Sequence, residues 1–311
     1  MLDEDSRKKA KDELNELNER DREIAVQTLR KWVIEADWLT SPTDFSFLLR
    51  FLRTRKYSQL GARQNIENYW KLKTNVPEYF RNIDPADTTL LTLLKTGFCF
   101  SPTKLDKKSR RVLYIRLGSL DIETCQTLGM DNVYKAWSLV FEWMACDENV
   151  QVNGIVIVAD HTNLSMNIVL HLVTPKMANI MFKYFQKALP FRAKGINEYK
   201  EPVFFDAVLA VIRPFMTEKM KSRQVLHGNS LVNIYKDIGQ EVFPREYLPD
   251  DYSGQCVGTT TEIIDEMLTS MNRPEFRKYI QELTSEKYGI DLDKRRQDTT
   301  TEKASFRKLA E

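Results

Sequence analysis

The stretch Asn153-Gly154-Ile155-Val156-Ile157-Val158-Ala159-Asp160 decides the fold. Its unbroken apolar run, bounded by Asn-Gly and by Asp, suits a short strand buried on both faces, the kind found in parallel sheets. Upstream, RVLYIRLG (111–118) is a second β-branched run closed by glycine. Between them Tyr134, Trp137, Phe141 and Met144 recur at helical spacing. Downstream, Pro175 to Leu189 and Pro202 to Arg223 carry helical patterns, and SLVNIY (230–235) reads as a further strand. Strands alternating with helices long enough for crossovers predict an α/β fold with a mainly parallel sheet.

The residues ahead of this region are patterned differently. Leu14, Leu17, Ile24, Ala25, Leu29, Trp32, Val33 and Ala36 form one apolar stripe among charges, which predicts a polar helix with a single buried side. Ser41-Pro42-Thr43-Asp44 offers a helix start, with Ser41 as cap and Pro42 in the first turn. The helix it opens places Phe45, Leu48, Leu49 and Leu52 together, and another, marked by Ile66, Tyr69 and Trp70, should end before Pro77. Three regions follow: a small all-helical domain over 1–90, an α/β domain over 91–260, and a helix with a polar, loosely ordered end over 261–311.

Composition narrows the function. With 46 Lys and Arg against 44 Asp and Glu, the chain has no general basic coat for nucleic acid. Its opening, MLDEDSRKKAKDEL, is charged where a secretory leader is apolar, and no window is long and apolar enough to span a bilayer. Four separated cysteines fit free thiols. A cytoplasmic monomer is expected. The phosphate-cradling glycine motifs, the G-x-S-x-G elbow and any zinc-ligand cluster are absent, so neither a metal nor a bound cofactor is expected. Asp160-His161 is the best catalytic pair on offer, and a turn in which both side chains satisfy nearby groups explains it as well. His227-Gly228-Asn229 reads as a loop using glycine for a positive φ.

Apolar chemistry remains. Phe204, Phe205, Val208, Leu209, Ile212, Phe215 and Met216 cover most of a helical wheel, so that segment is either a core helix or one that meets something apolar on both sides. Basic residues flank it: Arg192 and Lys194 before, Lys219 and Arg223 after. The cluster suits an anionic membrane interface, and a solvated face accounts for it equally.

Six stretches in order resemble the CRAL-TRIO family of lipid-binding proteins, in particular its tocopherol- and retinaldehyde-carrying branch. They are DFSFLLRFLRTRKY (44–57), RAKGI (192–196), EPVFFDAV (201–208), RPFMTEKMKSR (213–223), HGN (227–229) and LPDDYSG (248–254). The resemblance implies a helical N-terminal domain followed by an α/β domain whose sheet floors a lipid pocket, with Pro202–Arg223 as its movable gate. It also implies that Arg55, Arg192, Lys194, Lys219 and Arg223 hold a phosphoinositide headgroup. Tyr134, Trp137, Phe141, Ile155, Met181, Tyr184, Phe185, Leu189 and Ile196 would line the pocket, or else belong to the core. Two departures are mild: Asp160-His-Thr-Asn163 stands where the family has D-x-x-G, and Ser253 replaces a terminal glycine.

The expected function is soluble lipid transfer. One small hydrophobic ligand, a tocopherol, retinoid or similar isoprenoid, is bound internally and exchanged at phosphoinositide-containing membranes, with no enzymatic step. The alternative is a lipid-regulated adaptor of the same fold without bulk transfer.

Overall fold

A computed structural model describes residues 2–298. The N-terminal layer contains α1 (Glu4–Leu14), α2 (Glu19–Glu35), the short strand β1 (Leu39–Thr40), α3 (Phe45–Thr54), α4 (Gln59–Asn75) and α5 (Thr88–Lys95). The single stripe expected over residues 14–36 is split. Asn15 is left-handed (φ 66°) and ends α1, and the Asn18 side chain accepts from the Asp21 N–H to open α2. Leu17 falls in that break, exposed.

Helix α3 starts three residues later than the sequence suggests. Asp44, not Ser41, is its cap, with Oδ1 accepting from the Phe47 N–H at 2.8 Å. Every residue of α3 from Phe47 to Thr54 is buried, so it is the hub of the layer. As expected, α4 stops ahead of Pro77.

The α/β region runs β2 (Cys99–Phe100), β3 (Arg111–Ile115), α6 (Ile122–Leu128), α7 (Met130–Ala145), α8 (Glu148–Asn153) and β4 (Ile155–Asp160). It continues with α9 (Met166–Leu172), α10 (Pro175–Lys183), β5 (Ala193–Tyr199), α11 (Phe205–Ile212), α12 (Glu218–Lys221), β6 (Gln224–Leu226) and α13 (Val232–Ile238). The sheet order is β2-β3-β4-β5-β6; β3 to β6 are parallel, and β2 is antiparallel at one edge. All six residues of β4 are buried, as a strand covered on both faces requires.

Two expectations are corrected. Residues 230–235 are not a strand: Val232–Ile238 is helix α13, with Ile234 and Ile238 inward, a spacing that a short apolar run also satisfies. Pro202–Arg223 is not one helix. Helix α11 ends at Ile212, a 3₁₀ turn spans Arg213–Phe215, and α12 restarts after Thr217, whose side chain accepts from the Met220 N–H. Pro214 lacks the N–H and fixes φ, so the helix cannot run through it.

The chain closes with α14 (Thr260–Met271), opened by a Thr259–Glu262 capping box, then α15 (Pro274–Leu283) and β7 (Gly289–Ile290), which pairs antiparallel with β1. Residues 292–298 are helical. Trp38 Nε1 donates to Asp298, and Arg295 makes a two-pronged contact with Glu67 at 3.0 Å. This part of the expected loose end is therefore ordered, while residues 299–311 lie outside the described residues.

Candidate functional site

The amino ends of the parallel strands gather the basic residues. Arg192 and Lys194 bracket the first residue of β5, Arg223 immediately precedes β6, Lys219 lies on α12, and Arg55 caps the end of α3. Gly154 makes this convergence possible. Its φ is 79°, and a Cβ there would lie 2.4 Å from the Arg192 carbonyl, which accepts from the Ile155 N–H. Arg55, Arg192, Lys219 and Arg223 share a cavity of about 290 Å³ with Phe185, Leu189 and Ile196. Lys194 stands beside it, 3.9 Å from Glu13 of α1.

Charge is concentrated there without matching carboxylates. Burial, then the neighbouring Arg192, pushes the Lys194 ammonium down to about 8. Lys219 is lowered first by Arg223, then by burial and by Lys56, Arg192 and Arg55. Burial also lowers Arg55, Arg192 and Arg223. Groups that destabilise one another's charged forms are poised to be relieved by an anion.

The arginines are held in place by backbone. Arg192 donates to the Val152 carbonyl and Arg223 to the Ala193 carbonyl. Arg55 is clamped more elaborately. Its Nε donates to Asn65 Oδ1 at 2.9 Å, and Asn65 Nδ2 donates to the Lys187 and Ala188 carbonyls, both at 2.8 Å. Arg55 also reaches the Lys187 carbonyl at 3.2 Å. Those carbonyls belong to a π-helical turn, Tyr184–Ala188, that continues α10. Its Gln186 side chain donates to the Phe215 carbonyl and accepts from the Thr217 N–H, at 2.8 and 2.7 Å. One hydrogen-bonded chain therefore joins the basic cavity to the break between α11 and α12.

The aromatic residues form a layer leading inward. Tyr134–Trp137, Trp137–Phe141 and Phe141–Phe185 ring centroids are 6.5, 6.4 and 5.7 Å apart. Tyr134, Phe141, Ile155, Tyr184 and Leu189 are buried; Trp137, Met181, Phe185 and Ile196 are partly buried against the core. Tyr134 donates its hydroxyl to the Leu172 carbonyl, and Tyr184 to Glu142, so both are anchored at their polar ends. Among the described residues Trp137 Nε1 is buried beside the Cys99 thiol, with no oxygen or nitrogen partner.

Across the layer's outer side, α11 turns Phe205, Val208 and Leu209 inward, and Met216 follows. Phe204, Ile212 and Phe215 are half-buried. Outward lie Val203, just before the helix and fully exposed at 104%, then Ala207 and Ala210, with Asp206 as the charged residue among them. Apart from Asp206, this segment is thus apolar on both sides.

A CRAL/TRIO domain model matches residues 94–254, more than half of the chain. The chain belongs to the CRAL/TRIO family. Its members are lipid-binding and lipid-transfer proteins. A Pinta-like UBA domain model matches residues 18–90 of the helical layer. The chain is 34% identical over 247 residues to alpha-tocopherol transfer protein-like from Mus musculus, covering 79% of this chain and 70% of that one. It is 32% identical over 240 residues to Clavesin-2 from Homo sapiens, covering 77% and 72%. The solved structure of Sfh5 superposes with a TM-score of 0.50 at 14% identity, covering 91% of this chain and 98% of that one, which supports the fold.

Within this CRAL/TRIO domain the Asp160-His161 pair is engaged in structure. Asp160 accepts from the Thr162 N–H and hydroxyl and from Tyr247. His161 Nε2 lies 2.8 Å from Glu198, and its ring packs at 4.6 Å on Phe205 of α11. Asn163 takes the left-handed conformation (φ 58°) expected of the residue replacing the family's glycine, and Gly228 has φ 57°. Among the described residues no helix is long and apolar enough to cross a membrane. Sequence reasoning missed Asn65 and Gln186. Both are ordinary polar residues inside helical patterns, and only the fold brings them to the π turn.

Proposed function

We propose that this CRAL/TRIO protein carries one small hydrophobic molecule, a tocopherol, retinoid or similar isoprenoid, and exchanges it at phosphoinositide-containing membranes. The observation that carries this reading is the cavity in which four cations and the apolar ends of the aromatic layer meet. An anionic headgroup at the cations lies beside the entrance of an apolar path. The fully exposed Val203, the outward Ala207 and Ala210, and exposed Leu170 on α9 supply apolar surface for a bilayer. The buried Trp137 N–H, whose neighbour is the weakly accepting Cys99 thiol, suits a ligand bearing a single oxygen acceptor.

The hydrogen-bonded chain supplies the coupling. A headgroup phosphate competes with the Lys187 carbonyl for Arg55, and a charge-assisted bond is the stronger of the two. Freed of that clamp, the π turn loosens its Gln186 hold on residues 215–217, and α11 can swing outward. Release is thereby favoured at an anionic surface, through differential binding to the open state.

The test is transfer of fluorescent tocopherol and retinoid analogues between vesicles with and without phosphatidylinositol bisphosphate. Purified protein is first examined by native mass spectrometry for retained lipid. Bound isoprenoid, and transfer accelerated by phosphoinositide in the parent but not in Lys219→Ala/Arg223→Ala, is the expected result. A protein that retains and accepts none of these lipids refutes the carrier reading and leaves the adaptor alternative.

A further inference from the structure

The opposite end of the sheet carries a second, larger opening. Arg116 follows β3, Asp160 ends β4, and Lys200 follows β5, so the carboxyl ends of three parallel strands meet there. With Lys95 at the end of α5 and the first turn of α14, they surround a cavity of about 760 Å³. Strand β5 has seven residues, which places this cavity roughly 20 Å from the basic cavity at the amino ends. Crevices outside the carboxyl ends of parallel strands are where open α/β sheets accept ligands.

The division of labour among its charged groups is uneven. Both carboxylates are already used: Asp160 accepts from Thr162 and Tyr247, and Glu246 accepts from the Thr260 N–H through both oxygens, at 2.9 and 3.1 Å. The cations are less committed. The Arg116 side chain makes no hydrogen bond among the described residues; it forms a long ion pair, Nε standing 3.8 Å from Asp160, and its guanidinium lies 5.9 Å over the Tyr247 ring. Lys95 and Lys200 are exposed to the opening, and among the described residues neither forms an ion pair. The Thr260 hydroxyl is buried without a partner. Leu248 and Ile264 give the cavity an apolar flank.

We infer that this cavity is a second ligand site, which takes a small soluble organic phosphate. The phosphoryl group is received by Arg116, Lys95 and Lys200, and the organic part rests on Leu248 and Ile264. A guanidinium with all its donors free suits two phosphate oxygens at once, and the flanking ammoniums match the second negative charge. The hydroxyl of Thr260 adds a neutral donor. A lipid tail does not fit a cavity so lined with charge, and the anionic headgroup of the proposed function has its own site at the other end.

Isothermal titration of the full chain with adenosine 5′-monophosphate and with glycerol 3-phosphate tests this, adenosine and glycerol serving as uncharged controls. At least one phosphate should bind with a dissociation constant below about 1 mM, and its uncharged control should not. Lys95→Ala/Lys200→Ala and, separately, Arg116→Gln should each weaken binding about tenfold or more, while Lys219→Ala/Arg223→Ala should leave it within about twofold. Lys95, Lys200 and Lys219 are exposed and the Arg116 side chain makes no hydrogen bond; Arg223 gives up one bond to the Ala193 carbonyl, and an unchanged thermal midpoint confirms folding. Two equivalents that fall to one in Lys219→Ala/Arg223→Ala also support the second site. Two results overturn it: no phosphate binds up to about 10 mM, or binding survives the Lys95/Lys200 change and vanishes with Lys219/Arg223.

Discussion

Raising the pH through 8 should weaken the protein's attachment to phosphoinositide vesicles, and Lys194 should account for the loss. Burial and Arg192 bring its ammonium down to about 8, with Glu13 at 3.9 Å offsetting part of that effect. Roughly nine-tenths of the molecules carry this charge at pH 7 and about one-tenth at pH 9. An anionic surface favours the charged form, so binding above pH 8 must take up a proton. One basic residue near such a surface contributes about 1 kcal/mol, or about fivefold in affinity, with tenfold per pH unit as the ceiling. Folding has the opposite sign. Between about pH 8 and 10.5 the unfolded chain holds more protons than the native one, so this lysine raises stability with pH and the loss of binding is not unfolding. The assay is co-flotation with vesicles containing phosphatidylinositol bisphosphate from pH 7 to 9, comparing the parent with Lys194→Arg, which stays charged throughout. The headgroup's own ionisation is common to both curves. Parent and variant curves with the same slope would refute the argument.

The remaining predictions concern the scaffold of the site. Gly154→Ala forces a Cβ to within 2.4 Å of the Arg192 carbonyl at positive φ; it should cost about 2–4 kcal/mol by urea denaturation and weaken vesicle binding. Asn65→Ala removes the side-chain donor to the Ala188 carbonyl and the acceptor of Arg55 Nε, leaves the Lys187 carbonyl with Arg55 alone, and should cost about 2–4 kcal/mol while speeding lipid release from loaded protein. Asn65→Asp should be no better, because it turns a carboxylate toward two carbonyl oxygens; a neutral Asn65→Asp would discard the clamp. Lys73 and Glu142 form a fully buried pair at 2.8 Å, so Lys73→Met should cost about 3–5 kcal/mol, and Lys73→Met/Glu142→Gln, which removes the stranded charge but keeps an acceptor for the Tyr69 and Tyr184 hydroxyls, should recover part of it in thermal melts.

What the sequence revealed and what it hid follow from how local each signal is. The run Ile155–Asp160 is apolar enough to be a buried strand in any context, and it is one. Strand β5 was invisible because Ala-Lys-Gly-Ile-Asn-Glu-Tyr carries glycine, asparagine and glutamate; it is a strand because β4 and β6 pair with it on either side. Likewise the short apolar run at 230–235 fits either period, and packing of Ile234 and Ile238 chose the helix. Arg192, Lys194, Lys219 and Arg223 are legible as a basic cluster flanking an apolar segment, Arg55 only through likeness to a family, and four of the five do meet in one cavity. The Asn65–π turn–Gln186 connection had no local signal at all, since it is written in the contacts of segments more than a hundred residues apart.

The fastening of the helical layer by the end of the chain has a consequence for synthesis. Strand β1 finds its partner only in Gly289–Ile290, Arg50 meets Tyr279 at a separation of 229 residues, and Arg81 is held by the Ser285 and Tyr288 carbonyls. Arg50 is buried, with Nε and Nη1 unpartnered, so without Tyr279 its guanidinium loses its one side-chain hydrogen bond among the described residues and keeps only the Phe47 ring and the field of Glu142 nearby. The segments that carry Arg50 and Arg81 therefore cannot complete their packing until residues 279–290 have been made, and a nascent chain halted before residue 279 should leave this layer more open to proteases and chaperones.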